Sequence, residues 1–189
     1  MKRFLLVAVL FVFAAGSANA QLPPKPYIGL YADGSHSLWC ATGAMPFYQV
    51  TMWVWALSTD DSLLCAEFAV SYPASGIIAS TTTANPEYSV ILGDLGTGMS
   101  ICFQSCQYGW TWLFQQALFV NEADKKMIQI VPHGASGVVQ VAPCPAGAPE
   151  ILATVFTNLY VNAESGTDVE CDQTGVEPKS WGAIKRMLE

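Results

Sequence analysis

Basic residues are scarce in this sequence, and their scarcity excludes one class of partner. Lysines and arginines number 8 against 15 aspartates and glutamates, so the formal net charge is −7. Beyond the N-terminus, the only adjacent basic pairs are Lys125-Lys126 and Lys185-Arg186. Nucleic acids and anionic lipid surfaces are bound through clustered positive charge. We therefore expect no nucleic-acid partner.

Long apolar runs are also missing, except at the N-terminus. Phe4–Ala15 is an uninterrupted apolar run between basic Lys2-Arg3 and the small residues of Ala18-Asn19-Ala20. About a dozen residues are too few to cross a bilayer, which takes roughly 20. The pattern predicts a secretory signal peptide over 1–20 with cleavage after Ala20. We expect an exported protein, periplasmic, at the cell surface or extracellular, with no transmembrane segment after cleavage.

Histidine and closely spaced cysteines, the usual zinc ligands, are scarce as well. The chain has two histidines, and its closest cysteines, Cys102 and Cys106, are separated by three intervening residues. Zinc sites combine tighter pairs, so we expect no metal there. An even number of cysteines in an exported chain instead predicts disulfides, whose pairing the spacing leaves open. The candidates are Cys40, Cys65, Cys102, Cys106, Cys144 and Cys171.

We expect no cofactor. Calcium is the alternative, because several acidic residues could supply oxygen ligands. Asp168, Glu170 and Asp172 alternate, and Asp60-Asp61 and 121–124 supply further oxygens. The stretch DVECDQ departs from calcium-binding loops, because its sixth residue is glutamine where the turn requires glycine. A solvated acidic segment is the simpler interpretation.

No catalytic motif is present. His133–Gly137, HGASG, lacks one residue of the G-x-S-x-G nucleophile elbow and lies between two predicted strands, which is typical of a hairpin connection. A glycosidase needs two facing carboxylates, and spacing alone does not pair candidates such as Glu67 and Glu87. We expect no enzyme and no catalytic residue. A secreted, glycosidase-like hydrolase with an unrecognised carboxylate site is the alternative.

Short runs of Val, Ile, Thr and aromatic residues fill the middle of the chain, separated by Gly, Pro, Asn, Asp and Ser. This rhythm predicts an all-β protein, a single two-sheet antiparallel β-sandwich of about nine strands. The predicted strands are Tyr27–Asp33, Tyr48–Leu57, Ser62–Tyr72, Ile77–Thr83, Glu87–Gly93, Met99–Gln104, Trp110–Val120, Lys126–Val131, Val138–Val141 and Ile151–Val161. In the last of these, Ala153, Val155, Leu159 and Val161 are expected to share a core face.

Four tryptophans are the candidate binding residues. Along Tyr48–Leu57, one face is uniformly apolar, and Trp53 and Trp55 lie on the other. Trp110 and Trp112 form a second pair with the same spacing. Neighbouring aromatic rings that reach the surface can bind sugars or a protein. Large aromatic residues of a sandwich more often belong to its core.

The ends of the mature chain differ from its middle. We expect an extended proline-rich lead over 21–26, the sandwich over 27–163 and an acidic linker over 164–179. Residues 180–189, SWGAIKRMLE, predict a short amphipathic helix that Ser180 can cap. Its apolar stripe consists of Trp181, Ile184 and Leu188. Such a short helix is marginal alone, so it either packs on the sandwich or docks as a tag on a partner.

Four stretches carry a resemblance: YIGLYADGS, FYQVTMWVWAL, LLCAEFAVSYP and the terminal WGAIK. With them the chain resembles uncharacterised exported bacterial β-sandwich proteins of cohesin-like or immunoglobulin-like shape. The resemblance covers most of the mature chain and implies an exported sandwich without catalytic residues. It also implies a disulfide between Cys106 and Cys144.

Three functions follow as hypotheses. The first is a non-enzymatic binding or structural role, with a protein or polysaccharide partner at the cell surface. The second is the hydrolase named above. The third is a subunit of a surface layer or fibre, joined through an unpaired edge strand or the proline-rich lead.

Overall fold

The computed structural model describes residues 26–45, 47–58, 62–144, 146–164 and 166–172. The predicted signal peptide and the C-terminal segment with Trp181, Ile184 and Leu188 lie outside these residues. Within them the chain forms 13 strands and one short helix, α1 (Val169–Asp172). The strands are β1 (Tyr27–Tyr31), β2 (Cys40–Ala41), β3 (Tyr48–Leu57), β4 (Leu63–Ser71), β5 (Ile77–Ala84), β6 (Tyr88–Asp94), β7 (Gly98–Gln107), β8 (Trp110–Val120), β9 (Lys126–Val131), β10 (Gln140–Pro143), β11 (Ile151–Leu152), β12 (Thr154–Thr157) and β13 (Leu159–Val161).

Two sheets pack face to face, which confirms the predicted all-β sandwich. The first sheet has the order β12-β1-β3-β8-β5. In the second, the path β11-β10-β4-β9-β13-β2 is joined by β7 on β4 and by β6 on β7. Most neighbours are antiparallel, but β1 with β12 and β2 with β13 are parallel. No helix among the described residues is long and apolar enough to cross a membrane.

The core lies between the sheets, and strand alternation supplies it. On β3 the apolar face predicted from the sequence is buried, with Met52, Val54 and Ala56 at 0% exposure. On the second sheet Phe68 and Ile101 are equally inaccessible. Burial of such side chains removes about 25 cal/mol of unfavourable hydration per Å² of apolar surface.

Gln116 is one of the polar residues buried in the described structure. Gln116 on β8 is 7% exposed. The amide oxygen of Gln116 accepts a hydrogen bond from the Tyr72 hydroxyl at 2.6 Å, and its amide nitrogen donates one to Thr82 Oγ1 at 2.8 Å. Burial raises the pKa of the Tyr72 hydroxyl well above its ordinary value, so the hydroxyl remains a donor. The hydrogen bonds offset the cost of burying the amide.

The predicted strand Ile151–Val161 is wrong as a single element. The chain divides there into three strands: β11 pairs with β10, β12 with β1, and β13 with β9. Because the segment passes from one sheet to the other and back, its side chains do not alternate between a core face and an outer face over its whole length. Val155 is 36% exposed, whereas Leu159 and Val161 are fully buried. This division, together with β2, raises the number of strands to 13, above the roughly nine predicted.

The hairpin of β6 and β7 depends on a glycine. Gly93 has φ of +84°, and a Cβ at this position would clash with the Gly98 carbonyl oxygen. The turn that follows is held by Asp94, whose side chain accepts hydrogen bonds from Gly96 and Thr97. These bonds, the one from the Thr97 hydroxyl first, lower the pKa of the Asp94 carboxyl.

Candidate functional site

Strand pairing gathers the four tryptophans on the outer face of the first sheet. Trp53 lies opposite Tyr31 of β1, and Trp55 lies opposite Trp112 of β8. Two pairs further along, Leu57 lies opposite Trp110. Partners in an antiparallel pair share a face, so these side chains point away from the core. All four tryptophans are partly buried.

The rings contact one another in an unbroken series, here called the aromatic cluster. Trp53 meets Trp55 at 6.4 Å and Trp112 at 5.5 Å between ring centroids. Trp110 meets Tyr31 and Phe156 at 6.0 and 6.2 Å. Several of these contacts are edge-to-face, the arrangement that aromatic quadrupoles favour. The cluster consists of Tyr27, Tyr31, His36, Trp53, Trp55, Trp110, Trp112 and Phe156.

Gly29 of β1 leaves the space that the cluster requires. It pairs with Trp55, and a Cβ on it would lie 2.6 Å from Thr157 Oγ1 and 3.0 Å from the Tyr31 ring. The β1–β12 register also shifts beside it, between Ile28 and Gly29. Tyr27 and Tyr31 are 3% and 1% exposed, although they belong to the outer face. The rings therefore form a second, smaller apolar layer outside the sheet.

The loop between β1 and β2 covers this layer through His36. The imidazole stacks on Trp110 at 4.7 Å, with 26° between the ring planes, and lies 4.9 Å from Trp55. His36 adopts φ of +49°, which the left-handed region allows at low frequency. The indole N–H of Trp55 is buried and has no hydrogen-bond partner among the described residues.

Asp33 gives the loop its shape. Its carboxylate accepts hydrogen bonds from the Ser37 and Leu38 amides at 2.9 and 2.8 Å and from the Ser35 and Ser37 hydroxyls. Burial alone would raise the pKa of Asp33. The hydrogen bonds from Ser35, Leu38 and Ser37 outweigh burial and leave that pKa lowered. The anion thus fixes the loop that carries His36.

The outer face of the second sheet is a different kind of surface, here called the open face. Register aligns two rows of side chains across it. One row is Leu92, Ser100, Glu67, Gln140 and Leu152, and the other is Val90, Cys102, Cys65 and Ala142.

The edges of the open face are apolar and exposed, while its centre is polar. Leu92 is 65% exposed at one side and Leu152 is 68% exposed at the other. Between them, Glu67 accepts a hydrogen bond from Gln140 at 3.2 Å. A shallow pocket of about 140 Å³ lies at this centre, with Ser100 and Glu150 among its lining residues. The Glu67, Ser100 and Gln140 side chains at this centre are partly buried and none is fully covered.

All six candidate cysteines are bridged. Cys40 pairs with Cys171, Cys65 with Cys102, and Cys106 with Cys144, the pair that the resemblance implies. The Cys65–Cys102 bridge joins directly opposite residues of β4 and β7 on the open face.

The Cys40–Cys171 bridge links α1 to β2. Helix α1 lies inside 164–179, the segment expected as a linker. Trp39 donates its indole N–H to the Glu170 carbonyl at 2.8 Å. Lys125 Nζ lies 3.1 Å from a carboxylate oxygen of both Asp168 and Glu170. Two of the oxygens considered for calcium thus bind a lysine. The described residues contain no group of three or more His, Cys, Asp or Glu placed to hold a metal.

The structure does not bring the two hydrolase candidates together. Glu67 lies opposite Ser100 on β7, whereas the carbonyl of Glu87 accepts the amide of Gln104. Four residues of β7, about 13 Å of strand, separate those positions. The HGASG segment connects β9 and β10, and the His133 amide donates to the Val138 carbonyl at 2.9 Å. The predicted hairpin is wrong, because both strands pair with β4 and not with each other.

Sequence reasoning identified the tryptophans but missed the residues around them. Alternation on β3 marked the face of Trp53 and Trp55. His36 and Phe156 reach the cluster only through a loop and a parallel strand that no local pattern announces. Val90 and Leu92 could have been noticed, because they alternate within a predicted strand at a sheet edge.

No protein-family model and no curated protein matches the chain. Solved structures of cohesin modules match its fold. The sixth cohesin of scaffoldin B from Acetivibrio cellulolyticus, solved in complex with a Cel5 dockerin, matches with a TM-score of 0.52 and 14% identity over 75% of this chain and 100% of that one. A cohesin module from a Clostridium perfringens family 33 glycoside hydrolase gives 0.54 and 9% over 75% and 100%. The seventh ScaB type I cohesin from Pseudobacteroides cellulosolvens gives 0.51 and 8% over 77% and 96%. The chain therefore has the fold of a cohesin-like β-sandwich module.

Proposed function

We propose that this protein is an exported, non-enzymatic module that binds another protein at the cell surface or outside the cell. Its fold is shared with cohesin modules, one of which was solved in complex with a dockerin. Three disulfides are typical of a protein in an oxidising compartment. The predicted signal peptide would direct the chain to such a compartment.

The open face carries this proposal. Exposed apolar side chains grouped on one face mark protein contacts, and polar groups between them can be buried at little cost when their hydrogen bonds are satisfied. Here Leu92 and Leu152 are exposed anchors on either side of the partly buried Ser100. The first sheet offers less free surface, because the aromatic cluster is packed on itself and covered by the loop of Asp33 and His36.

A charged substitution at the centre of the open face tests the proposal. The mature protein and its Ser100→Arg variant are immobilised and exposed to the extracellular proteins of the source organism, and bound proteins are identified by mass spectrometry. Thr81→Arg, at an exposed position of β5, is the matched control. A protein retained by the wild type and by Thr81→Arg but lost with Ser100→Arg supports the proposal. Retention of the same proteins by the wild type and both variants contradicts it.

A polysaccharide partner at the aromatic cluster is the second candidate. The observation that favours it is the convergence of four partly buried tryptophans on one outer face. Sugar rings stack on such aromatic groups. Replacing Trp53 and Trp55 with alanine should abolish binding to any glycan that an array identifies. Phe119→Ala, at a 39% exposed position on the same face, should leave binding intact. An array without hits rejects this candidate.

A further inference from the structure

Strand β6 has a free edge. Among the described residues it pairs with β7 alone, so its other side carries main-chain N–H and C=O groups that no strand pairs. Such an edge is a template for another strand. The edge belongs to the second sheet, and a strand added there would extend that sheet.

The devices that usually protect an edge are few on β6. Natural edge strands carry lysine, proline, bulges or a covering loop. The sequence YSVILGD contains neither lysine nor proline, and its one register irregularity lies between Tyr88 and Val90. Val90 and Leu92 are 47% and 65% exposed. The stretch from Val90 to Leu92 is therefore regular, uncharged and accessible.

The other edge on this side of the sandwich differs. Strand β5, which precedes β6 in the chain and pairs only with β8 in the described structure, reads IIASTTTA. Ile78 is its one exposed large apolar side chain, at 55%. Hydroxyl groups fill most of the remainder. The contrast singles out β6 as the edge suited to a partner strand.

We propose that the β6 edge binds the β6 edge of a second copy of this chain, as an antiparallel pair related by a two-fold axis at Ile91. A two-fold contact is self-complementary, so one edge serves both copies. In this register Val90 lies opposite Leu92 of the other copy, twice, and apolar cross-strand pairs stabilise sheets.

Charge supports this register. The chain carries a net charge of −7, so two copies repel unless their contact keeps carboxylates apart. With the axis at Ile91, Asp94, the one carboxylate within β6, lies opposite Tyr88. No carboxylate of one copy then directly faces a carboxylate of the other. The dimer joins the two second sheets into one continuous sheet.

Sedimentation velocity of the purified mature protein tests the pairing without any other partner, so its outcome is separate from that of the proposed function. The wild type should shift from monomer to dimer as its concentration rises through the micromolar range. Leu92→Lys should remain monomeric, and Ile78→Lys, the matched change on β5, should dimerise as the wild type does. At concentrations below the dimerisation range, both variants should keep the wild-type melting temperature. A wild type that stays monomeric, or a Leu92→Lys variant that still dimerises, overturns the proposal.

A cross-linking experiment tests the register. The described cysteines include no free thiol, so Val90→Cys and Leu92→Cys each introduce a single one. When the two variants are mixed and oxidised, the mixed disulfide should form faster than the disulfide of either variant alone. Equal rates for all three combinations would overturn the register centred on Ile91.

Discussion

Asp33 shows how much of the candidate surface rests on a single side chain. Its carboxylate holds the loop that places His36 on Trp110, so a group outside the aromatic cluster determines the cluster's cover. The sequence predicts the outward face of Trp53 and Trp55, because period-two alternation is local. It does not predict the contact with His36, since that contact depends on how a loop returns across the sheet.

Replacing Asp33 with alanine should free the loop. The loss of its hydrogen bonds to Ser37 and Leu38 should lower the free energy of unfolding by about 1–3 kcal/mol. Water should then reach Trp55 and Trp110, and tryptophan emission should shift to the red. Asp124→Ala removes an exposed carboxylate elsewhere and should change neither quantity. An unchanged emission spectrum in Asp33→Ala would show that the loop holds without the carboxylate.

Acid should weaken the same loop. The folded-state pKa of Asp33 is lowered. Its stabilising contribution is therefore complete above the ordinary carboxyl pKa of about 4 and is lost as the pH falls through the lower folded value. Denaturant unfolding between neutral pH and pH 2 should show a smaller loss of stability with acid in Asp33→Asn than in the wild type. Equal slopes in the two proteins would contradict the role assigned to this carboxylate.

The strands differ in how accurately the sequence predicts where they begin and end. Three observed strands, β3, β8 and β9, have the bounds predicted from the sequence, because each keeps one environment over its whole length. The segment Ile151–Val161 has no single environment, since β11, β12 and β13 belong to different pairings. Its alternation could not show where the chain passes from one sheet to the other.

The hairpin of β6 and β7 should not tolerate a side chain at Gly93. Gly93→Ala places a Cβ both at positive φ and against the Gly98 carbonyl. Gly109 has φ of +71°, and a Cβ added there would meet no atom within 4 Å, so Gly109→Ala isolates the backbone cost. That cost is about 1–2 kcal/mol, and Gly93→Ala should exceed it in denaturant unfolding. Equal losses in the two variants would mean that the hairpin relaxes without penalty.

The three disulfides act over very different lengths of the whole molecule. Cys40–Cys171 closes 131 residues, whereas Cys65–Cys102 closes 37. A longer loop restricts the unfolded chain more. Serine replacement of the Cys40–Cys171 pair should therefore cost about 1 kcal/mol more than replacement of the Cys65–Cys102 pair. Thermal unfolding of the two double variants measures the difference, and a larger loss for Cys65–Cys102 would contradict the chain-entropy argument.

The long bridge also determines how the protein responds to force. A pull applied beyond Cys171 is transmitted to Cys40 through a covalent bond, so the residues between them cannot extend while the bridge is intact. Among the described residues before the bridge, the stretch from Pro26 to Cys40 can then lengthen, by about 50 Å at most. With the bridge reduced, the extensible length grows roughly tenfold. Under tension between its ends, β1 is therefore the described strand that the oxidised module can lose by extension, since it precedes Cys40, while the strands after Cys40 stay inside the bridged loop.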